Sequence, residues 1–178
     1  VLTKIISAMA QASYLPWGNR RNQKKDSLMI GHLNDIQIDQ VLQRQFVGRI
    51  GCAFENIPYI VPVTYAFDGK NIYGHSQPGQ KMEWMRKNPN VCFEVEETDN
   101  LANWRTVIIE GQFEELMSGG EKNYALHLLK EKFTPFTTGE TAKELHLGPK
   151  PPLVVEKKAR AILFKIKPAA KSGRFEKS

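Results

Sequence analysis

The stretch Asn71 to Pro89, NIYGHSQPGQKMEWMRKNP, gathers a histidine, a serine, a glycine, a glutamine and a lysine between His75 and Lys81. Apolar residues precede them and a Pro-Gly pair lies among them. The spacing therefore predicts a short strand, a polar turn, and a helix that opens on Gln80 and Lys81 and stops at Pro89. An anion site needs donors that converge: backbone N–H groups at a helix start, a hydroxyl and a cation. Ser76 supplies the hydroxyl, Gly79 permits close backbone approach, and Lys81 brings the charge. Phosphate is the ligand class that matches. A lysine in a first turn also opposes the helix dipole, which favours anions there, and a bound anion would remove that mismatch. A neutral imidazole at His75 can hydrogen-bond a ring carbonyl or relay a proton at the rim of the same site. The same residue types also serve as plain turn punctuation, and a strand-end histidine as a structural one, so the pattern alone leaves both readings open.

Other chemistries find no motif. His32, His127 and His146 are widely spaced and form no HxxxH or HExxH set, which argues against a metal cage. Ser76 belongs to no GxSxG elbow. Without a GxGxxG or Walker lysine motif, a bound nucleotide would sit on a barrel and not on a doubly wound sheet.

The elements that must position these residues are mostly strands. NDIQIDQVLQRQF sets Ile38, Val41, Leu42 and Phe46 at helical spacing, with Asn34 or Asp35 as cap. VGRIGCAFE, PYIVPVTYAFD, NIYGHS, NVCFEVEE and WRTVIIEGQFEEL then follow, rich in β-branched and aromatic residues and separated by turn formers. Asp68-Gly69 is a hairpin signal that pairs PYIVPVTYAFD with NIYGHS. EKNYALHLLKEKF reads as a helix with Tyr124, Leu128 and Leu129 on one side; residues 134 to 152 read as a long excursion with a short helix near Ala142 to Leu147. RAILFKIKPAA alternates as a last strand, with Ile162, Phe164 and Ile166 on one face, before a polar tail. Six short antiparallel strands with few helices predict a mainly β fold, a small closed or nearly closed β-barrel with flanking helices.

The 178 residues suit one domain, expected over 29–178, with residues 1–28 a basic, flexible N-terminal extension and Met29 a natural start. The opening VLTKIISAMAQAS only faintly resembles a signal peptide. The net charge of +6 is loaded at the two ends, which reads as solvated tails and leaves no basic stripe across the core. No apolar run approaches the roughly 20 residues of a membrane-spanning helix. Cys52 and Cys92, each in an apolar alternating segment and forming no CxxC pair, read as buried small residues in a reducing, cytoplasmic compartment, the alternative being a secreted protein with a single disulfide.

From Gly48 to Leu116 the order of pieces GRI, PYIVP, IYGHSQPGQK, NPNVCF and WRTVIIEG resembles the FMN-binding split-barrel superfamily of pyridoxamine 5'-phosphate oxidase-like proteins, and within it the nitroimidazole-resistance (Nim-type) flavoproteins. The resemblance implies a six-stranded antiparallel FMN-binding split barrel that forms a homodimer with flavin at the subunit interface. It implies that Lys81, with Ser76 and Gln80 beside it, holds the FMN phosphate and that Val63, Thr64 and Tyr65 line the isoalloxazine. His75 would stand near the ring as the catalytic residue, and Trp104 and Arg105 would come from the adjoining strand or from the partner subunit.

The implied activity is an FMN-dependent oxidoreductase that draws electrons from NAD(P)H and reduces a small acceptor such as a nitroaromatic or a quinone. The ending SGRFEKS lacks the Arg-Leu-x-Pro pattern of true pyridoxamine phosphate oxidases, which puts that substrate in doubt, and no heme-ligand motif supports the heme-handling members. A flavin-binding protein without turnover is the main alternative. A barrel that stacks single-stranded nucleic acid on Trp84, Trp104 and Phe175 is a more distant one.

Overall fold

The computed structural model describes residues 29–134 and 161–178. The expected extension, the Ala142–Leu147 helix and almost all of the 134–152 excursion lie outside the described residues. In chain order the elements are β1 (Met29–His32), α1 (Asp35–Arg44), β2 (Val47–Phe54), β3 (Ile57–Phe67), β4 (Ile72–Ser76), α2 (Gln80–Lys87), β5 (Asn90–Asn100), β6 (Asn103–Glu115), α3 (Gly119–Phe133) and β7 (Ile162–Lys177). The strands form one antiparallel sheet, ordered β1-β7-β4-β3-β2-β5-β6, and a further β6–β7 pairing closes it into a ring. The fold is mainly β, a split barrel with flanking helices.

All six expected strands are present, and β1 is a seventh. It pairs Met29 with Lys177 and His32 with Arg174, so the polar end SGRFEK is strand and not tail. Four residues MIGH carry no periodic signal, and only the distant end of β7 makes them a strand.

Alternation along the strands sets the core. Ile50 and Cys52 of β2, Val63 and Tyr65 of β3, Phe93 and Val95 of β5, Val107 and Ile109 of β6 and Phe164 and Ile166 of β7 point inward and are buried. Each such apolar side chain contributes roughly 1.5–3 kcal/mol relative to exposure. Tyr65 is fully buried and its hydroxyl donates to the Leu42 carbonyl at 2.9 Å, which offsets the cost of hiding a phenol. Cys92 departs from expectation: it is exposed, because the two-residue period puts it on the outer face between inward Val91 and Phe93.

The helices cover the openings. Asn34 caps α1 through a capping box with Gln37, and Ile38, Val41 and Leu42 enter the barrel core. The helix stops at Arg44, so Phe46 lies beyond it and meets the Phe133 ring at 6.1 Å. Along α3 the buried residues are Ala125, Leu129 and Phe133, packed on Ala66, Tyr73 and Leu163 in a second cluster. Tyr124 is instead half exposed, edge-on to Tyr73.

At the Asp68-Gly69 turn, Gly69 takes φ +89° and the Asp68 carboxylate accepts from the Lys70 and Asn71 amides at 2.8 and 2.6 Å. That hairpin fixes the register of β4, and hence the place of His75 and Ser76.

Candidate functional site

β4 ends in His75 and Ser76, the chain turns through Gln77, Pro78 and Gly79, and α2 begins at Gln80, as the sequence predicts. Met82 and Met85 bury one face of α2 against the barrel, which leaves its N-terminus at the rim. Asn34 and Ser118 cap α1 and α3 with side-chain oxygens, whereas Gly79 gives α2 no side-chain cap. The amides of Met82 and Glu83 donate to the Gly79 carbonyl at 2.9 and 3.1 Å, which leaves those of Gln80 and Lys81 as donors without an intrahelical acceptor, and a Cβ placed on Gly79 would meet nothing within 4 Å among the described residues.

Lys81 stands half-buried in that first turn and forms no ion pair among the described residues. Burial holds its ammonium below the usual lysine range, and the nearby Cys52 thiol pulls slightly the other way. Cys52 in turn is pushed up by burial and partly relieved by Lys81. His75 is pushed down by burial first and by Lys81 second, which favours the neutral imidazole near neutral pH. Its Nδ1 is buried with no hydrogen-bond partner among the described residues. Ser76 is buried, and its hydroxyl donates to the Gln77 carbonyl at 2.8 Å, leaving its oxygen lone pairs as acceptors. Gln80 is exposed. One rim of the barrel therefore brings together a cation, uncapped amides and an unpartnered imidazole nitrogen, a set suited to an anionic group joined to a polar ring.

The remaining expected residues are placed differently. Val63 and Tyr65 turn inward into the core and only Thr64 turns outward, so the first two can offer a ligand backbone alone. Trp104 and Arg105 lie far from His75 within the chain. His75 pairs with Leu163 near one end of β7, while Trp104 pairs with Glu176 near the other, thirteen positions along the strand. That is about 40 Å of strand contour. There they line a cleft of about 520 Å³ with Arg44, Glu97 and Phe175. Trp104 Nε1 donates to Glu176 at 2.9 Å, and Arg105 meets the Glu97 carboxylate at 3.3 Å. Trp84 packs against Tyr59 and Phe54, and Phe175 beneath Gly31, so the aromatic residues considered for nucleic-acid stacking are spread over separate places.

Sequence reasoning missed Cys52 as a neighbour of Lys81, and Arg44 and Glu97 as neighbours of Arg105. The first follows from packing of α2 on β2, Glu97 from its register opposite Arg105, and Arg44 from the seat of α1 beside β5; no local signal marks any of them.

Comparison with known proteins gives a consistent picture. The sequence profile described as pyridoxamine 5'-phosphate oxidase matches residues 34–174. An uncharacterized protein of Rhizobium meliloti (strain 1021) is 38% identical over 90 residues, 48% of this chain; the match spans 60% of the length of that curated relative. The crystal structure of a FAD-binding protein from Mesorhizobium loti superposes with a TM-score of 0.66 at 29% identity, over 85% of this chain and 99% of that one. That of a provisionally assigned 5-nitroimidazole antibiotic resistance protein from Bacteroides thetaiotaomicron superposes with a TM-score of 0.62 at 16% identity, over 89% and 96%, a likeness of fold alone.

Proposed function

The chain belongs to the pyridoxamine 5'-phosphate oxidase family, and from that premise we propose that it is an FMN-dependent oxidoreductase acting on a small acceptor such as a nitroaromatic, with NAD(P)H as donor. The observation that carries the proposal is the uncapped start of α2 beside half-buried Lys81 and the unpartnered His75 Nδ1. These fit a flavin mononucleotide in kind: the amides and ammonium suit its phosphate, and the imidazole suits a polar edge of its ring system. The Mesorhizobium loti protein is described as FAD-binding; FAD shares with FMN the ring system and the first phosphate.

When bound, FMN supplies two-electron chemistry between a nicotinamide and the acceptor. The chain's own residues do the rest. Lys81 would supply charge and the amides of Gln80 and Lys81 hydrogen bonds to the phosphate, and open space at Gly79 would let it approach. His75, kept neutral by burial, would hydrogen-bond the ring edge and hold a proton there. Thr64 would meet the ring with its side chain, and Val63 and Tyr65 with backbone.

Trp104 and Arg105 reach this site only from a second subunit, given their distance along β7, so the proposal includes a homodimer. An outer sheet face supports it. Ile60 and Val47 are exposed there, and a groove of about 600 Å³ runs past Gly51, Cys92 and Ile60.

Aerobic purification followed by a visible spectrum tests the reading: the protein is expected to be yellow, to release FMN on heating, and to bleach anaerobically with NADH or NADPH. Yellow protein that does not bleach would support the flavin-binding alternative. Lys81→Ala is expected to weaken FMN binding at least about tenfold in a titration of apoprotein, and unchanged affinity would refute the phosphate assignment.

A further inference from the structure

The cleft at the Trp104 end has a composition of its own. Two guanidiniums, Arg44 from the last turn of α1 and Arg105 from β6, converge on the single carboxylate of Glu97. Arg105 is within 3.3 Å of it, but Arg44 is at 4.0 Å, beyond hydrogen-bond reach. At Glu97 itself, two guanidiniums carry about ten N–H donors and the one carboxylate offers about four acceptor positions. Glu176, whose carboxylate accepts from Trp104 Nε1 at 2.9 Å, forms no ion pair with either guanidinium among the described residues. Lys177 and Asp99 also line the cleft with opposite charges. Trp104 and Phe175 give it half-buried aromatic surface, and its volume of about 520 Å³ is ample for a single ring.

We infer that this cleft is a binding subsite for a planar aromatic anion, with the ring against Trp104 and Phe175 and a carboxylate or similar group held by Arg44 and Arg105. Planar guanidiniums match such groups through paired N–H bonds. Arg44 is the specificity-determining residue, since its guanidinium makes no hydrogen bond with another described residue. Identifying the ligand as the electron acceptor rests on the flavoprotein reading; the binding itself does not.

The test is equilibrium binding by calorimetry to the full-length protein, using 4-nitrobenzoate and the neutral 4-nitrobenzyl alcohol as probes, with flavin content read from the same samples. The nitrobenzoate is expected to bind about tenfold more tightly than the alcohol. Arg44→Ala should abolish that preference and Arg44→Lys restore part of it, with unchanged melting temperature because Arg44 is exposed. Equal affinities for the two probes, no binding of either, or a preference that survives in a folded Arg44→Ala protein would each overturn the inference. Yellow protein without the preference would leave the flavin reading standing and remove this one. Colourless protein that keeps an Arg44-dependent preference would do the reverse.

Discussion

His75 shows how position alone sets the chemistry of a side chain. Its imidazole is pushed below its ordinary value near 6.5, first by burial and then by Lys81. The folded state therefore favours the neutral ring, and the unfolded chain binds more protons as pH falls through 6.5. By linkage, stability falls with pH from about 6.5 downward, toward the lower folded value. Thermal melts between pH 8 and 5 should show the melting temperature dropping on the acid side, and His75→Gln should flatten part of that drop. Identical slopes for the two proteins would mean that His75 is not held neutral by its surroundings. The acid drop should also be smaller with inorganic phosphate present, if an anion beside Lys81 removes part of the repulsion.

Among the elements, the β2–β3 hairpin carries a local conflict. Its two-residue turn, Glu55-Asn56, takes φ of +50° and +62°. Both values lie in the left-handed region, where asparagine is tolerated and glutamate is not favoured. Glu55→Asn should stabilise the protein by about 0.5–1 kcal/mol in urea denaturation, because the new residue fits the same turn with less strain. A loss of stability would indicate that the Glu55 side chain makes a contribution larger than the strain. This turn lies where FENIP separates two β-rich runs, and such boundaries were readable throughout. Strands β2 to β6 and all three helices announce themselves by local pattern. The polar half of β7 and the whole of β1 do not, since each is a strand only by pairing with the other and with β6. The candidate site divides in the same way. His75 to Lys81 are contiguous and legible, whereas Cys52 joins them through packing of α2 on β2, and Arg44 joins Glu97 through the seat of α1 beside β5.

At the scale of the molecule, the two groups of expected site residues stand at opposite ends of β7, and the closed ring of strands holds them apart. A second copy can. The outer sheet face is suited to meeting one: Ile60 is 68% exposed, lies opposite Gly51 in the ladder, and borders the groove that contains Cys92. Burying such a face would recover apolar area now facing water. Ile60→Asp places a charge there without touching the core, because the side chain already points outward. In the proposed dimer the variant should sediment as a monomer where the wild type sediments as a dimer. It should also lose FMN affinity together with the dimer, although His75, Ser76 and Lys81 are unchanged. Retention of the dimer would show that this face is not the interface. A monomeric variant that still binds FMN with wild-type affinity would show that one chain's rim at His75 and Lys81 is sufficient, and that Trp104 and Arg105 serve the aromatic-anion cleft alone.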